Sequence, residues 1–475
     1  MQMTESHSTN KFFQIIDKIY RYPERIFIVL TIVFGLFISM YSSPFDIPDE
    51  DTHWLKAYAI SSLQPSGIDG SYAYFPVNVA EFQWEVKETG YENINDYYLL
   101  DDINVMDNSE AFYSFRTAGS NPLLQLCPAI AIAVTNIFTD SVLILFIAGR
   151  IGNLLMYAAI GYFAIKRSPK HQWSMTMIGL LPMSLLLAAS YSYDTIIIAM
   201  GMLLFSTYLK MKYTDGIVEQ KDKIIFIISG AILIIAKMVY APMVGVLLFV
   251  DKDKFRIKFE KFYLMIFTGI LGIGLYYLWA KLGHLTNYIF NNDLLALYQT
   301  SMGATTMAVP SGASVVSEVI SFIKDPVFYI RSFLATMGYY GKMYLPSTVA
   351  ISFGISISYS TAIKVWITIF IVSIIENLEG KSHPLHYIYN ALLFTACIFL
   401  TFLALYSYIP PEYSGQYYSD FVRGAGIQGR YFLPCSFLLL PCISIPHVKD
   451  EYKRLITLIV FIIFIILIVG ILALL

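Results

Sequence analysis

Residues 455–474 read LITLIVFIIFIILIVGILAL, twenty positions with no charge and a single hydroxyl. At about 1.5 Å per residue such a run spans a hydrocarbon core about 30 Å thick. Lipid offers a backbone no hydrogen-bonding partners, so a lone segment crosses it only as a helix. Comparable apolar stretches lie near 26–43, 141–165, 173–190, 194–212, 224–237, 239–250, 262–281, 358–376, 386–408 and 430–446. Charged residues make up 14% of the chain and hydrophobic ones 57%, against about 25% charged in a soluble domain. The expected fold is an all-α polytopic membrane protein with about eleven transmembrane helices. The stretch 237–250 is short for two crossings, so it reads as two half-helices or a broken hairpin. No small-residue cleavage site follows the first apolar run, which reads as a retained anchor.

Basic residues set the expected sidedness, because loops rich in Lys and Arg stay in the cytoplasm. Clusters fall at Lys11–Arg25, Lys166–Lys170, Lys210–Lys223, Lys252–Lys261 and Lys449–Arg454. All lie on one side if the chain crosses eleven times from a cytoplasmic N-terminal segment, residues 1–25. Residues 26–475 then form one transmembrane domain. That count holds only if 121–138 and 327–345, both apolar, lie along or dip into the outer surface. Residues 44–140 become a long, acid-rich outer loop with juxtamembrane helices, and 282–357 a second large outer segment. Long loops in compact folds are usually functional.

Three groups of residues could carry chemistry. The first, Pro44 to Trp54, follows the first span directly and holds Asp49, Glu50, Asp51 and His53. Two prolines fix the exit, and Asp49 stands where a helix N-cap is needed, with Trp54, Leu55 and Tyr58 as that helix's apolar face. Acids at that point serve either as a general base beside a lipid-borne substrate or as ordinary caps of a surface helix. The second group, Gln428 to Pro434, opens the tenth span with Arg430 beside Tyr431. A guanidinium there binds a lipid phosphate or snorkels as an interfacial anchor. The third is charge at membrane depth: Arg150, Asp194, Lys237 and Lys364. Such residues are functional candidates or structural pairs, for instance Arg150 with Asp194.

Other chemistries are poorly represented. The seven histidines form no H-E-x-x-H pattern, and no G-x-x-x-x-G-K-[ST] loop is present. Asp49, Glu50 and Asp51 could hold Mg or Mn through oxygen alone, although nothing demands a metal. Cys127, Cys397, Cys435 and Cys442 lack ligand spacing and read as small buried hydrophobes. No basic face or motif suggests nucleic acid. Aromatic residues, 16% of the chain, belong mostly to interfacial belts. Tyr72, Tyr74, Phe75, Trp84, Tyr97 and Tyr98 are candidates for stacking on sugars.

Read in order, these strings resemble a known family. They are P-D-E-x-x-H-x-x-x-A-Y from Pro48, G-R-x-x-N (Gly149, Arg150, Asn153), S-Y-D (Ser192 to Asp194), K-x-x-Y-x-P (Lys237, Tyr240, Pro242) and Q-G-R-Y-F-L-P (Gln428 to Pro434). The set resembles the bacterial membrane-protein family catalogued as domain of unknown function 2142, over about residues 26–450. That family in turn looks like the GT-C glycosyltransferases, which carry an acidic pair after the first span and an R-Y-x-x-P string opening a late one.

The resemblance implies a plasma-membrane glycosyltransferase with an extracytoplasmic site. It would move a sugar from a polyprenyl-phosphate donor to a cell-envelope glycan acceptor, with inversion. Asp49 would be the base and Glu50 would position acceptor or ion. Arg430 would hold the donor phosphate, helped by Lys237, Arg150 or Lys342, with Asp51, His53, Asp194, Gln428 and Tyr431 in support. Asp51 stands where the family string has Pro, which leaves open which acid is the base. The rival classes are a transporter or flippase, a glycan polymerase or ligase, and a scaffold of an envelope complex. Inverted repeats would favour the transporter, and none is visible in the sequence.

Overall fold

The computed structural model describes residues 14–63, 72–76, 78–79, 81–82, 86, 112–116, 119–290, 315–352, 355–377, 384–406, 427–440 and 449–474. The fold is a helical polytopic membrane bundle. Helices α1 (Pro23–Tyr41) and α2 (Glu50–Ser61) are followed by a two-stranded pairing of β1 (Tyr72–Pro76) with β2 (Phe112–Arg116). Then come α3 (Leu126–Thr135), α4 (Val142–Arg167), α5 (Gln172–Gly179), α6 (Pro182–Ala188), α7 (Asp194–Tyr213) and α8 (Gln220–Ala236). A 3-10 segment, Met238–Phe249, precedes α9 (Glu260–Phe290), α10 (Val315–Lys324), α11 (Pro326–Val349), α12 (Tyr359–Glu376) and α13 (Pro384–Tyr406). Helix α14 (Leu433–Ser436) sits between 3-10 turns at Gly429–Phe432 and Phe437–Leu439, and α15 (Asp450–Leu472) ends the described chain.

Among the described residues, seven helices are long and apolar enough to cross a membrane: α1, α4, α7, the first twenty residues of α9, α12, α13 and α15. The other four expected spans are shorter or interrupted. Residues 173–188 fall in α5 and α6, broken before Pro182; 224–236 fall in the seventeen-residue α8, and Lys237 is already extended. Residues 239–250 wind as a 3-10 helix around Pro242, and 430–440 alternate between 3-10 and α geometry at Pro434. Proline removes an N–H and clashes with the preceding turn, so each break has a local cause. Such breaks are tolerated in lipid where protein surrounds them, and α7, buried at nearly every position, runs through that protein core.

Charge sorts to two ends of the bundle. At one, Arg167 donates to Asp222 at 2.7 Å, Lys223 meets Glu260 at 2.5 Å, and Arg454 pairs with Asp17. Glu376 at the foot of α12 accepts from the backbone N–H groups of Trp173 and Ser174, capping α5 from a distant helix. These contacts gather the basic clusters at a single end. Helix α3, ten residues long, is half a span and packs back along α4; a Cβ on Gly152 would come within 2.8 Å of the Cys127 carbonyl. Both ends of α11 touch the opposite end of the bundle: the Tyr329 ring meets that of Tyr406 at 5.0 Å in a tilted contact, and Ser347 accepts from Gly429 N–H. Cys397 and Cys435 are buried and Cys127 half-buried, all unbridged; Cys442 lies outside the described residues.

Candidate functional site

The chain leaves α1 through a turn that bends twice. Phe45 and Asp49 hold φ values of 69° and 65°, in the left-handed region that costs an ordinary residue about 1–2 kcal/mol. Asp tolerates that region better than most residues. Asp49 occupies the N-cap position of α2, as its spacing suggests, yet its side chain makes no capping hydrogen bond. That carboxylate is spent elsewhere. The following helix is no surface helix either: Trp54, Leu55 and Tyr58 are buried, and so are the polar His53 and Lys56 beside them. Trp54 lies 5.2 Å from Phe146 and 5.4 Å from Tyr191.

Glu50, one residue on, turns the opposite way. Its two oxygens take Arg150 Nε at 2.8 Å and Nη2 at 2.7 Å, and also the backbone N–H groups of Phe45 and Tyr191. Arg150 Nη1 reaches the carbonyls of Ser39 and Ser42, and Nη2 that of Ser43. Both side chains are closed to solvent, at 1% and 0% exposed. A buried pair of this kind costs about 3–5 kcal/mol to break from one side. Arg150 therefore clamps the exit turn. It has no nitrogen to spare for a phosphate, Glu50 has no oxygen open to acceptor or ion, and Arg150 does not pair with Asp194.

Asp194 instead opens α7 between two cations. Its Oδ1 lies 2.5 Å from Lys237 Nζ and its Oδ2 lies 3.4 Å from Arg430 Nε. The outer nitrogen of Arg430 donates to Asp49 Oδ2 at 2.8 Å, and Nη1 reaches the Pro48 carbonyl. Tyr431 completes the set: its ring lies 4.2 Å from Lys237 Nζ and its hydroxyl 3.4 Å from Arg430 Nη2. Arg430 and Asp194 are buried, while the Asp49 side chain is 63% exposed. His53 sits against the Tyr193 ring at 4.8 Å, and burial lowers its imidazole pKa to about 4. Its Nδ1 has no partner among the described residues.

The remaining motif residues shape this cluster. Gly149 makes room for Tyr191, whose hydroxyl would stand 2.0 Å from an added Cβ. Asn153 Nδ2 donates to the carbonyls of Ser190 at 2.7 Å and Ser192 at 3.2 Å, holding the break before α7. Tyr240 donates to the Tyr431 carbonyl at 2.8 Å, and Gly429 fits against Ser347 and the Tyr344 carbonyl.

Several expected residues stand apart. Gln428 only flanks the turn, and Asp51 lies in the first turn of α2. Lys342 and Lys364 are exposed, and neither joins the cluster. Lys364 lies close enough to the start of α12 to snorkel. Phe75 is core. Trp84, Tyr97 and Tyr98 fall outside the described residues, as do the side chains of Tyr72 and Tyr74. A cage of Asp49, Glu50 and Asp51 around a divalent ion does not fit, because Glu50 is turned inward onto Arg150. Among the described residues no group of three or more His, Cys, Asp or Glu side chains is placed to hold a metal. Tyr193, the middle letter of S-Y-D, carried no role in the sequence reading, yet its ring touches both His53 and Lys237.

Residues 32–439 match the profile of DUF2142, described as a predicted membrane protein. The chain belongs to that family. All five strings that carry the DUF2142 likeness meet in the cluster around Asp194 and its Arg150 clamp. Comparison with curated proteins and with solved structures gives no match.

Proposed function

We propose that this DUF2142 protein is a GT-C-type glycosyltransferase that uses a sugar linked to a polyprenyl phosphate, with Asp49 as its base. The observation that carries this reading is one exposed carboxylate in contact with a buried guanidinium that shares Asp194 with Lys237. An acceptor hydroxyl attacks the anomeric carbon and gives its proton to Asp49. The bond from that carbon to the phosphate oxygen breaks as the new glycosidic bond forms, and the anomer inverts. The phosphodiester leaves as a phosphomonoester with one more negative charge. Arg430 and Lys237 are preorganised to meet that charge, which is where fixed dipoles and ions lower a barrier most. The protein sits in a bacterial plasma membrane, with the basic end in the cytoplasm and the Asp49 end outside, facing an envelope glycan.

The test is complementation. A strain lacking the gene is given the wild-type, Asp49→Asn or Arg430→Ala chain, and its envelope glycans are compared by mass spectrometry at matched membrane levels. Wild type restores the missing sugar and neither variant does. Full restoration by both variants would end the transferase reading.

A further inference from the structure

We infer that Asp49 occupies, in the free protein, the seat on Arg430 that a singly charged phosphodiester takes when the donor binds, and that this exchange releases the carboxylate for proton removal. The inference rests on the function proposed above and adds an order of events and a charge class for the donor.

The cluster is balanced as it stands: Arg430 and Lys237 against Asp194 and Asp49. An anion that entered without displacing an acid would leave it net negative in a partly desolvated place. Asp194 cannot be the acid that leaves, because it is 6% exposed and bridges both cations. Asp49 can: it is 63% exposed and meets Arg430 through the guanidinium's outer nitrogen. Its backbone does not have to follow, since the turn is fixed next door by Glu50 on Arg150. With Asp49 withdrawn, the two cations and Asp194 leave one positive charge, which a phosphodiester neutralises. A diphosphate-linked lipid would overfill the same seat. The displaced carboxylate is then uncommitted beside the bound donor, where an acceptor needs it. After transfer Asp49, which is exposed, gives the proton to water and returns to Arg430 as a carboxylate, which helps expel the product phosphate.

Binding of two sugar-free lipids to the purified full chain in nanodiscs tests this: farnesyl methyl phosphate, a phosphodiester, and farnesyl diphosphate. Asp49→Asn should bind the phosphodiester about fivefold more tightly than wild type, the worth of one partly exposed ion pair. The diphosphate should bind more weakly than the phosphodiester. Arg430→Lys, which keeps the charge and is less disruptive than truncation, should lose phosphodiester affinity. Equal or weaker binding by Asp49→Asn, or preference for the diphosphate, overturns the exchange while leaving the transferase reading in place. Binding indifferent to Arg430→Lys and Arg430→Ala, in variants that stay monodisperse, removes the phosphate seat and both readings with it.

Discussion

Asp194 stands between Lys237 and Arg430, with one oxygen 2.5 Å from the first and the other 3.4 Å from the second. Asp194→Asn would leave both cations without their shared counter-ion in a buried setting. The expected loss is about 3–5 kcal/mol of stability. Adding Lys237→Met should recover part of it, since the double variant again balances charge. A double-mutant cycle on thermal midpoints in detergent checks this; strictly additive losses would mean that the two side chains do not interact.

Neighbouring acids should behave differently. Glu50→Gln removes the charge that faces Arg150 in a closed pocket and should lower stability by about 3 kcal/mol or more. Asp49→Asn affects a partly exposed pair and should cost about 1 kcal/mol or less. Size-exclusion profiles after graded heating separate the two, and equal sensitivity would contradict the burial difference.

Gly429 has no room for a side chain. An added Cβ would stand 2.3 Å from Ser347 Oγ and 2.3 Å from the Tyr344 carbonyl oxygen. Backbone cannot yield as a flexible tip can, so Gly429→Ala should shift Arg430 and cost about 1–3 kcal/mol. Ser347→Ala should not rescue it, because the carbonyl remains. Full rescue in a melting assay would count against the packing described.

His53 supplies a pH signature. Its folded pKa, about 4, lies below the ordinary value of 6.5, with Asp49, Asp194, Arg430 and Lys237 as its charged neighbours. The unfolded chain thus binds more protons between those values, and stability falls as pH drops from 6.5 towards 4. The share due to His53 is about 3 kcal/mol at most. His53→Gln should flatten the stability curve over that window relative to wild type, as read from melting at successive pH values. An unchanged slope would show that other groups carry the acid sensitivity.

Much of the architecture was legible because lipid restricts a chain so severely. Apolar runs such as 455–474 have one solution, and basic clusters such as Lys210 to Lys223 gather at one end, as the sidedness rule expects. The convergence of Asp49 with Arg430 was legible only as motif order. What escaped was partner choice. Arg150 meets Glu50, one hundred residues away, because α4 packs against α1 and the exit turn, and local spacing carries no trace of that neighbour. Asp49 looked like a cap for the same reason: its backbone is one, while its side chain answers to a residue 381 positions later. The stretch 237–250 was legible as broken, but its 3-10 winding around Pro242 was not, nor was the mixed winding around Pro434.

The Arg150 clamp also makes the order of two letters matter. Asp49-Glu50 and the transposed spelling have the same composition, net charge and hydropathy. Transposed, the longer acid would hang over Arg430 and the shorter one would fall short of a guanidinium whose bonds leave it little freedom to approach. The turn depends on the order of its two acids, and their number alone would not build it.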